Sequence, residues 1–245
     1  MSGHSKWSTI KRKKAKVDSA RGKVFTRVAK EIIAAARDGG GDPEANSRLK
    51  NAIAKAKEVN IPNDNIQRAI KRGTGELGGA SLEELAYEGY GPGGVAVMVD
   101  ILTDNRNRTA GEIRHLFSKH GGNLGETGCV SWMFDARGLL IVEKSDLQID
   151  GDELLLTAID AGALDVREED DSFEIYTEPD ALEQITEKMT AEGIKVSDAE
   201  VTKIPQTTVL LEGNQQDQML KLIDLLEEHD DVQEVFANFE LADEE

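Results

Sequence analysis

Apolar positions in the first 75 residues recur at helical spacing in three short runs. Between residues 19 and 37 they repeat every three or four residues and fill one half of a helical wheel. A second helix is predicted with Asp42 as its N-cap and Pro43 at its first helical position. A third is predicted from about residue 63 to 72. Together they predict a small helical bundle.

The rest of the chain alternates between strand-like and helix-like patterns. Residues 95–134 and residues 207–239 each show the order strand, helix, strand, and residues 138–201 show strand, helix, strand, strand, helix, strand. In the first of these patterns, residues 129–134 are the second strand. We expect the outer patterns to pair into one ferredoxin-like domain, because unpaired halves would leave sheet edges exposed.

The predicted fold class is therefore α+β, with an N-terminal small helical bundle followed by two nested ferredoxin-like α/β domains. The predicted boundaries are residues 1–75 for the basic helical domain, 76–136 plus 205–245 for a discontinuous α/β domain, and 137–204 for an inserted α/β domain.

Charge is segregated along the chain. Residues 1–75 hold 18 of the 29 Lys and Arg but seven of the 47 Asp and Glu, so this segment is +11 and the remaining 170 residues are −29. A basic segment joined to an acidic body is typical of proteins that contact nucleic acid through one end. A solvated helix face would also accept these cations, but natural surfaces usually intersperse both signs, so phosphate contact is favoured.

Two groups of side chains are the predicted nucleic-acid contacts. On the first helix, Lys23, Arg27 and Lys30 share one face, and Lys16 joins them if the helix extends that far. The arm before this helix adds an aromatic residue, Trp7, which either stacks on a base or packs on the first helix. The predicted contacts are Lys6, Trp7, Lys11, Arg12, Lys13, Lys14, Lys16, Lys23, Arg27, Lys30, Arg106 and Arg108.

The last two of these residues lie where a predicted strand passes into a helix. Backbone N–H groups and the positive end of the helix dipole lie at such a junction, and Arg106 and Arg108 add two cations. We expect a phosphate-binding corner here, with Asn105 or Asn107 as the helix cap. A polar, capped loop without a ligand is the alternative.

No catalytic, metal or cofactor site is predicted. Cys129 is the one cysteine, and the four histidines lack metal-ligand spacing. The acidic run at residues 168–171 is read as a solvated loop. The glycine-rich stretches at 88–94 and 121–128 lack a P-loop or dinucleotide-binding pattern and are read as turns. No apolar stretch is long enough for a membrane span, which predicts a cytoplasmic protein, with a basic transit peptide as the alternative.

Four sequence motifs, in this order and spacing, resemble those of the YebC/PmpR family. They are Ser2-Gly3-His4-Ser5-Lys6-Trp7-Ser8-Thr9-Ile10-Lys11, Tyr87-Glu88-Gly89-Tyr90-Gly91-Pro92-Gly93-Gly94, Thr103-Asp104-Asn105-Arg106-Asn107-Arg108-Thr109 and Gly121-Gly122-Asn123-Leu124-Gly125. The resemblance implies a three-domain α/β architecture whose N-terminal domain is helical, a cytoplasmic location and no enzymatic activity.

The resemblance also implies a regulator of gene expression. Family members are usually labelled probable DNA-binding transcriptional regulators, whereas mitochondrial relatives are translational activators and some bacterial members relieve ribosome stalling at proline stretches. Because residues 1–75 carry +11 and the remaining residues carry −29, only a limited part of the protein surface can lie against phosphates. This charge distribution mildly favours a ribosomal RNA target over promoter DNA. We expect a nucleic-acid partner, no membrane or small-molecule partner, and a monomer.

Overall fold

The computed structural model describes residues 21–78 and 82–241. The described residues form two compact units, one made of residues 132–208 and one that combines residues 21–131 with residues 209–241. The fold is α+β, as the sequence predicts. The three-domain boundaries stay a prediction.

The N-terminal helices are α1 (Arg21–Gly39), α2 (Ser47–Glu58) and α3 (Asn63–Gly73). Their apolar faces meet in a core that includes Ile32, Leu49 and Ile66. The end of α3 approaches α1 so closely that a Cβ added at Gly73 would lie 2.4 Å from the carbonyl oxygen of Ile33. A glycine at this position lets the two backbones meet.

The predicted start of the second helix is wrong. Asp42 instead accepts a hydrogen bond from the Glu44 backbone and forms a turn. Asn46 is the N-cap of α2: its Oδ1 accepts from the Leu49 backbone, and its Nδ2 donates to the carbonyls of Ala35 and Gly40. This side chain satisfies groups on both helices, which Asp42 could not do because a carboxylate has no N–H to donate.

The same unit contains a four-stranded antiparallel sheet in the order β3-β1-β2-β9. Its strands are β1 (Glu83–Tyr90), β2 (Ala96–Thr103), β3 (Asn123–Leu124) and β9 (Val232–Ala237). Two helices, α4 (Arg106–Lys119) and α7 (Gly213–Glu227), pack together and against this sheet. A parallel pair, β8 (Val209–Leu211) and β10 (Phe239–Leu241), lies alongside.

Residues 132–208 repeat the order strand, helix, strand, strand, helix, strand. The elements are β4 (Phe134–Glu143), α5 (Gly151–Ala161), β5 (Asp165–Glu168), β6 (Ser172–Thr177), α6 (Leu182–Ala191) and β7 (Asp198–Pro205). The sheet order is β5-β6-β4-β7, the order of a ferredoxin-like fold. Its core includes Leu140, Leu154, Phe173, Ile175 and Met189.

The strand predicted at residues 129–134 is wrong. A single 3-10 turn spans Ser131–Met133, and the strand begins at Phe134. The backbone N–H groups of Val130 and Ser131 donate to the Glu88 carboxylate, so they are not available to a strand ladder. In the described residues, no helix is long and apolar enough to cross a membrane.

Candidate nucleic-acid interface

The cationic stripe of α1 faces an acidic surface of its own chain. The acidic surface follows α7 and enters β9; it consists of Glu227, Glu228, Asp230, Asp231 and Glu234. Lys23 Nζ lies 4.0 Å from Glu228 Oε2, and Lys30 Nζ lies 2.6 Å from Asp231 Oδ1. Arg27 is partly buried, which lowers its pKa, while Glu227, Glu234 and Asp230 oppose this shift.

Asp231 is the centre of this contact. Its side chain is 6% exposed. Oδ1 accepts from Lys30, and Oδ2 accepts from Arg108 Nη2 at 2.7 Å, from Thr109 Oγ1 at 2.7 Å and from Thr103 Oγ1 at 3.1 Å. Burial alone would raise the pKa of this carboxyl, but the hydrogen bonds from Lys30, Arg108 and Thr109 outweigh burial and hold the pKa well below its usual value.

Further contacts join α1 and α2 to the first sheet and its flanking residues. Lys30 Nζ also donates to the carbonyl of Asp230 at 2.9 Å. Arg37 donates to the carbonyl of Leu82, and Arg48 Nη2 lies 2.8 Å from Glu84 Oε1. Ala34 packs with Leu82 and Leu102. The bundle is therefore attached to the sheet by apolar packing and by ion pairs at both ends of α1.

The predicted phosphate corner has its expected cap. Asn105 Oδ1 accepts from the Arg108 backbone at 3.1 Å and caps α4. Arg106 and Arg108 differ in their ion pairs. Arg108 pairs with Asp104 and Asp231, and its hydrogen bond to Asp231 raises the pKa of Arg108. Arg106 is exposed and has no ion pair among the described residues, so a phosphate could reach Arg106 without displacing a carboxylate.

Glu112, His229 and Asp231 bring possible metal-ligand atoms within 4.8 Å of one another. Each of these groups already has a protein partner. His229 Nε2 lies 2.9 Å from Glu112 Oε2, His229 Nδ1 accepts from the Asp231 backbone, and both Asp231 oxygens accept hydrogen bonds. We read this group as part of the ion-pair network that holds α1.

Exposed cations without an ion pair, among the residues that the structure covers, lie elsewhere on the bundle. Lys71 and Arg72 lie three and four residues after Arg68 on α3, and the three side chains form a basic ridge. Lys50 and Lys57 share a face of α2. The α3 ridge was not among the predicted contacts, although its i, i+3, i+4 spacing is readable in the sequence.

The remaining predicted contacts belong to the N-terminal arm and lie outside the described residues. They are Lys6, Trp7, Lys11, Arg12, Lys13, Lys14 and Lys16. Their role stays a prediction.

The glycine-rich stretches pack around Glu88, which is 3% exposed. Its carboxylate accepts from the backbones of Gly128, Val130 and Ser131, each at 2.8 Å. Burial would raise the pKa of this carboxyl, but the three backbone hydrogen bonds lower it. A Cβ at Gly89 would lie 2.5 Å from the Asn123 carbonyl oxygen, so glycine here allows β1 and β3 to pair.

The fold and the charge distribution define an α+β protein in which a basic N-terminal segment, residues 1–75, is followed by acidic α/β residues. Two family models cover the chain: the TACO1/YebC protein N-terminal domain matches residues 5–76, and the TACO1/YebC second and third domain matches residues 82–239. The chain belongs to the TACO1/YebC family, as its sequence motifs predict.

Proteins named probable transcriptional regulatory protein are close relatives. The one from Pelotomaculum thermopropionicum is 63% identical over 99% of this chain and 100% of its own length. The one from Desulforamulus reducens is 61% identical over 98% of this chain and 99% of its own length. A crystal structure of a conserved hypothetical protein from Aquifex aeolicus matches with a TM-score of 0.83 and 48% identity, covering 94% of both chains.

Proposed function

We propose that this protein is a non-enzymatic regulator of gene expression that works in the cytoplasm and binds DNA through its basic N-terminal segment. The observation that carries the proposal is the segregation of charge, +11 in residues 1–75 against −29 in the rest. The relatives' shared name, probable transcriptional regulatory protein, supports transcription as the process and DNA as the polymer.

The contact surface that we propose combines the arm with two exposed parts of the described chain, the α3 ridge of Arg68, Lys71 and Arg72 and the corner residue Arg106. These cations can meet phosphates without breaking an ion pair among the described residues. Lys23 and Lys30 would first have to leave Glu228 and Asp231. Arg108 would likewise have to leave Asp231.

A non-enzymatic role agrees with the environment of Cys129. Burial and the nearby Glu88 raise the pKa of its thiol, so the nucleophilic thiolate is disfavoured at neutral pH. Glu88 itself is held by three backbone hydrogen bonds, so it is not a free general base.

The test is fluorescence anisotropy with duplex DNA and with ribosomal RNA fragments over a range of salt concentrations. We expect the triple variant Arg68→Gln/Lys71→Gln/Arg72→Gln to bind DNA more weakly and with a smaller salt slope, by about 0.9 for each phosphate that the variant no longer neutralises. The matched control, Arg137→Gln/Lys188→Gln/Lys195→Gln, removes three cations from residues 132–208 and should bind as the wild type does.

Equal reductions in affinity for the two triple variants would show that overall charge, rather than the α3 ridge, governs binding. Tighter binding to ribosomal RNA than to DNA, together with salt-sensitive sedimentation with ribosomes, would replace DNA by the ribosome as the target. Absence of binding to either polymer at low salt would overturn the proposal.

A further inference from the structure

An apolar patch is exposed on the ferredoxin-like unit of residues 132–208, away from the basic N-terminal segment in sequence and opposite to it in charge. Leu155, Leu156 and Ile159 lie on the outer face of α5 and are 44%, 63% and 47% exposed. Leu164, which follows the end of this helix, is 49% exposed. The inner face of α5 is occupied by Leu154 and Ala158, which belong to the core, so the exposed leucines are not needed to fill it.

A groove of about 600 Å³ adjoins the patch. Its lining is mixed: Leu147, Ile149, Val166 and Phe173 contribute apolar surface beside charged side chains, and Leu155 belongs to both the groove and the patch. An apolar side chain from a partner could therefore enter the groove while its neighbours cover the outer face of α5.

Negative charge surrounds both features. Asp152, Leu156 and Asp160 follow one another at four-residue spacing, so a carboxylate lies one turn before and one turn after the most exposed leucine. Three carboxylates, Asp150, Asp152 and Glu168, line the groove with one cation, Lys144, which lies 2.6 Å from Glu168. Residues 132–208 as a whole carry 20 Asp and Glu against six Lys and Arg, a net charge of −14.

We propose that this patch and groove dock a basic protein segment, an amphipathic one whose apolar side chains cover Leu155, Leu156 and Ile159 while its Lys or Arg side chains meet the surrounding carboxylates. The charge selects the partner. Residues 132–208 of a second copy, a nucleic acid and an anionic lipid surface would all be repelled, whereas a cationic segment is attracted and steered to the patch. Contiguous apolar exposure of this kind is typical of a protein contact.

The probe is a synthetic amphipathic helix of leucine and lysine, about four turns long, titrated into the full-length chain labelled with ¹³C in its Leu, Ile and Val methyl groups. We expect the methyl signals of Leu155, Leu156, Ile159 and Leu164 to shift on binding. The variant Leu156→Ser/Ile159→Ser should weaken binding by about tenfold, because it removes the centre of the contact. Both changes are on exposed positions, and the unperturbed methyl spectrum reports whether the fold is kept.

Val201→Ser is the matched control, since Val201 is 53% exposed on β7 of the same unit and lies outside the patch and groove. It should bind the peptide as the wild type does. The proposal is overturned if the Leu156→Ser/Ile159→Ser variant binds with unchanged affinity, or if an all-lysine peptide of equal charge binds as tightly. It is also overturned if the wild type sediments as a dimer that this variant dissociates, since the occupant would then be a second copy.

Discussion

Replacing Asp231 by alanine should loosen the attachment of α1 to the sheet. The side chain is 6% exposed and accepts hydrogen bonds from Lys30, Arg108, Thr103 and Thr109. Its removal leaves the Lys30 ammonium, 17% exposed, without its carboxylate. Breaking a buried ion pair by deleting one partner costs about 3–5 kcal/mol, so we expect the free energy of unfolding to fall by about that amount.

The assay is urea unfolding followed by circular dichroism, with amide hydrogen exchange to locate the change in α1. Asp230→Ala is the control, because the Asp230 side chain is exposed and its contact to Lys30 is made by the backbone carbonyl, which the substitution keeps. The control should destabilise the protein by less than about 0.5 kcal/mol. A destabilisation below about 1 kcal/mol for Asp231→Ala, or exchange in α1 that does not change, would refute the reasoning.

Two further outcomes follow from the buried carboxylates. Glu88→Gln should destabilise the protein by about 1–3 kcal/mol in the same assay, because one carboxylate oxygen becomes an amide nitrogen that cannot accept a hydrogen bond, which leaves at least one of the three backbone N–H groups without its acceptor; Glu126→Gln, an exposed position, should have little effect. The folded-state pKa values of Glu88 and Asp231 are both lowered, so their contribution to stability is complete above the unfolded-state values of about 4 and is lost as the pH falls below them. The free energy of unfolding of the wild type, measured from about pH 6 to about pH 2, should therefore fall on the acid side of about pH 4. The free energy of unfolding of Asp231→Asn should fall less steeply over the same range, and equal slopes would contradict the assignment.

Local patterns predicted the helices well. The predicted helix over residues 19–37 corresponds to α1, and the helix predicted within residues 207–239 corresponds to α7. The cap of α4 by Asn105 was also among the two predicted choices. These features depend on residues three or four apart, which any sequence displays directly.

The failures share a different cause. The glycine-rich stretch at 88–94 is predicted to be a turn, but its residues up to Tyr90 belong to β1, where Gly89 pairs with Val97 of β2 and with Leu124 of β3. The false strand at 129–134 is prevented by Glu88, more than 40 residues earlier in the chain. Neither pairing leaves a periodic signal in the segments concerned.

The sequence by itself determined the α+β class, the helix faces, the segregation of charge and the family, because these depend on composition, on short-range periodicity and on motif order. Only the tertiary structure decided which cations are already paired. Lys30 and Arg108 are separated by 78 positions, and both meet Asp231, which is distant from each along the chain. An ion pair needs proximity in space, which for Lys30 is produced by the packing of α1 on the sheet and for Arg108 by the pairing of β9 with β2.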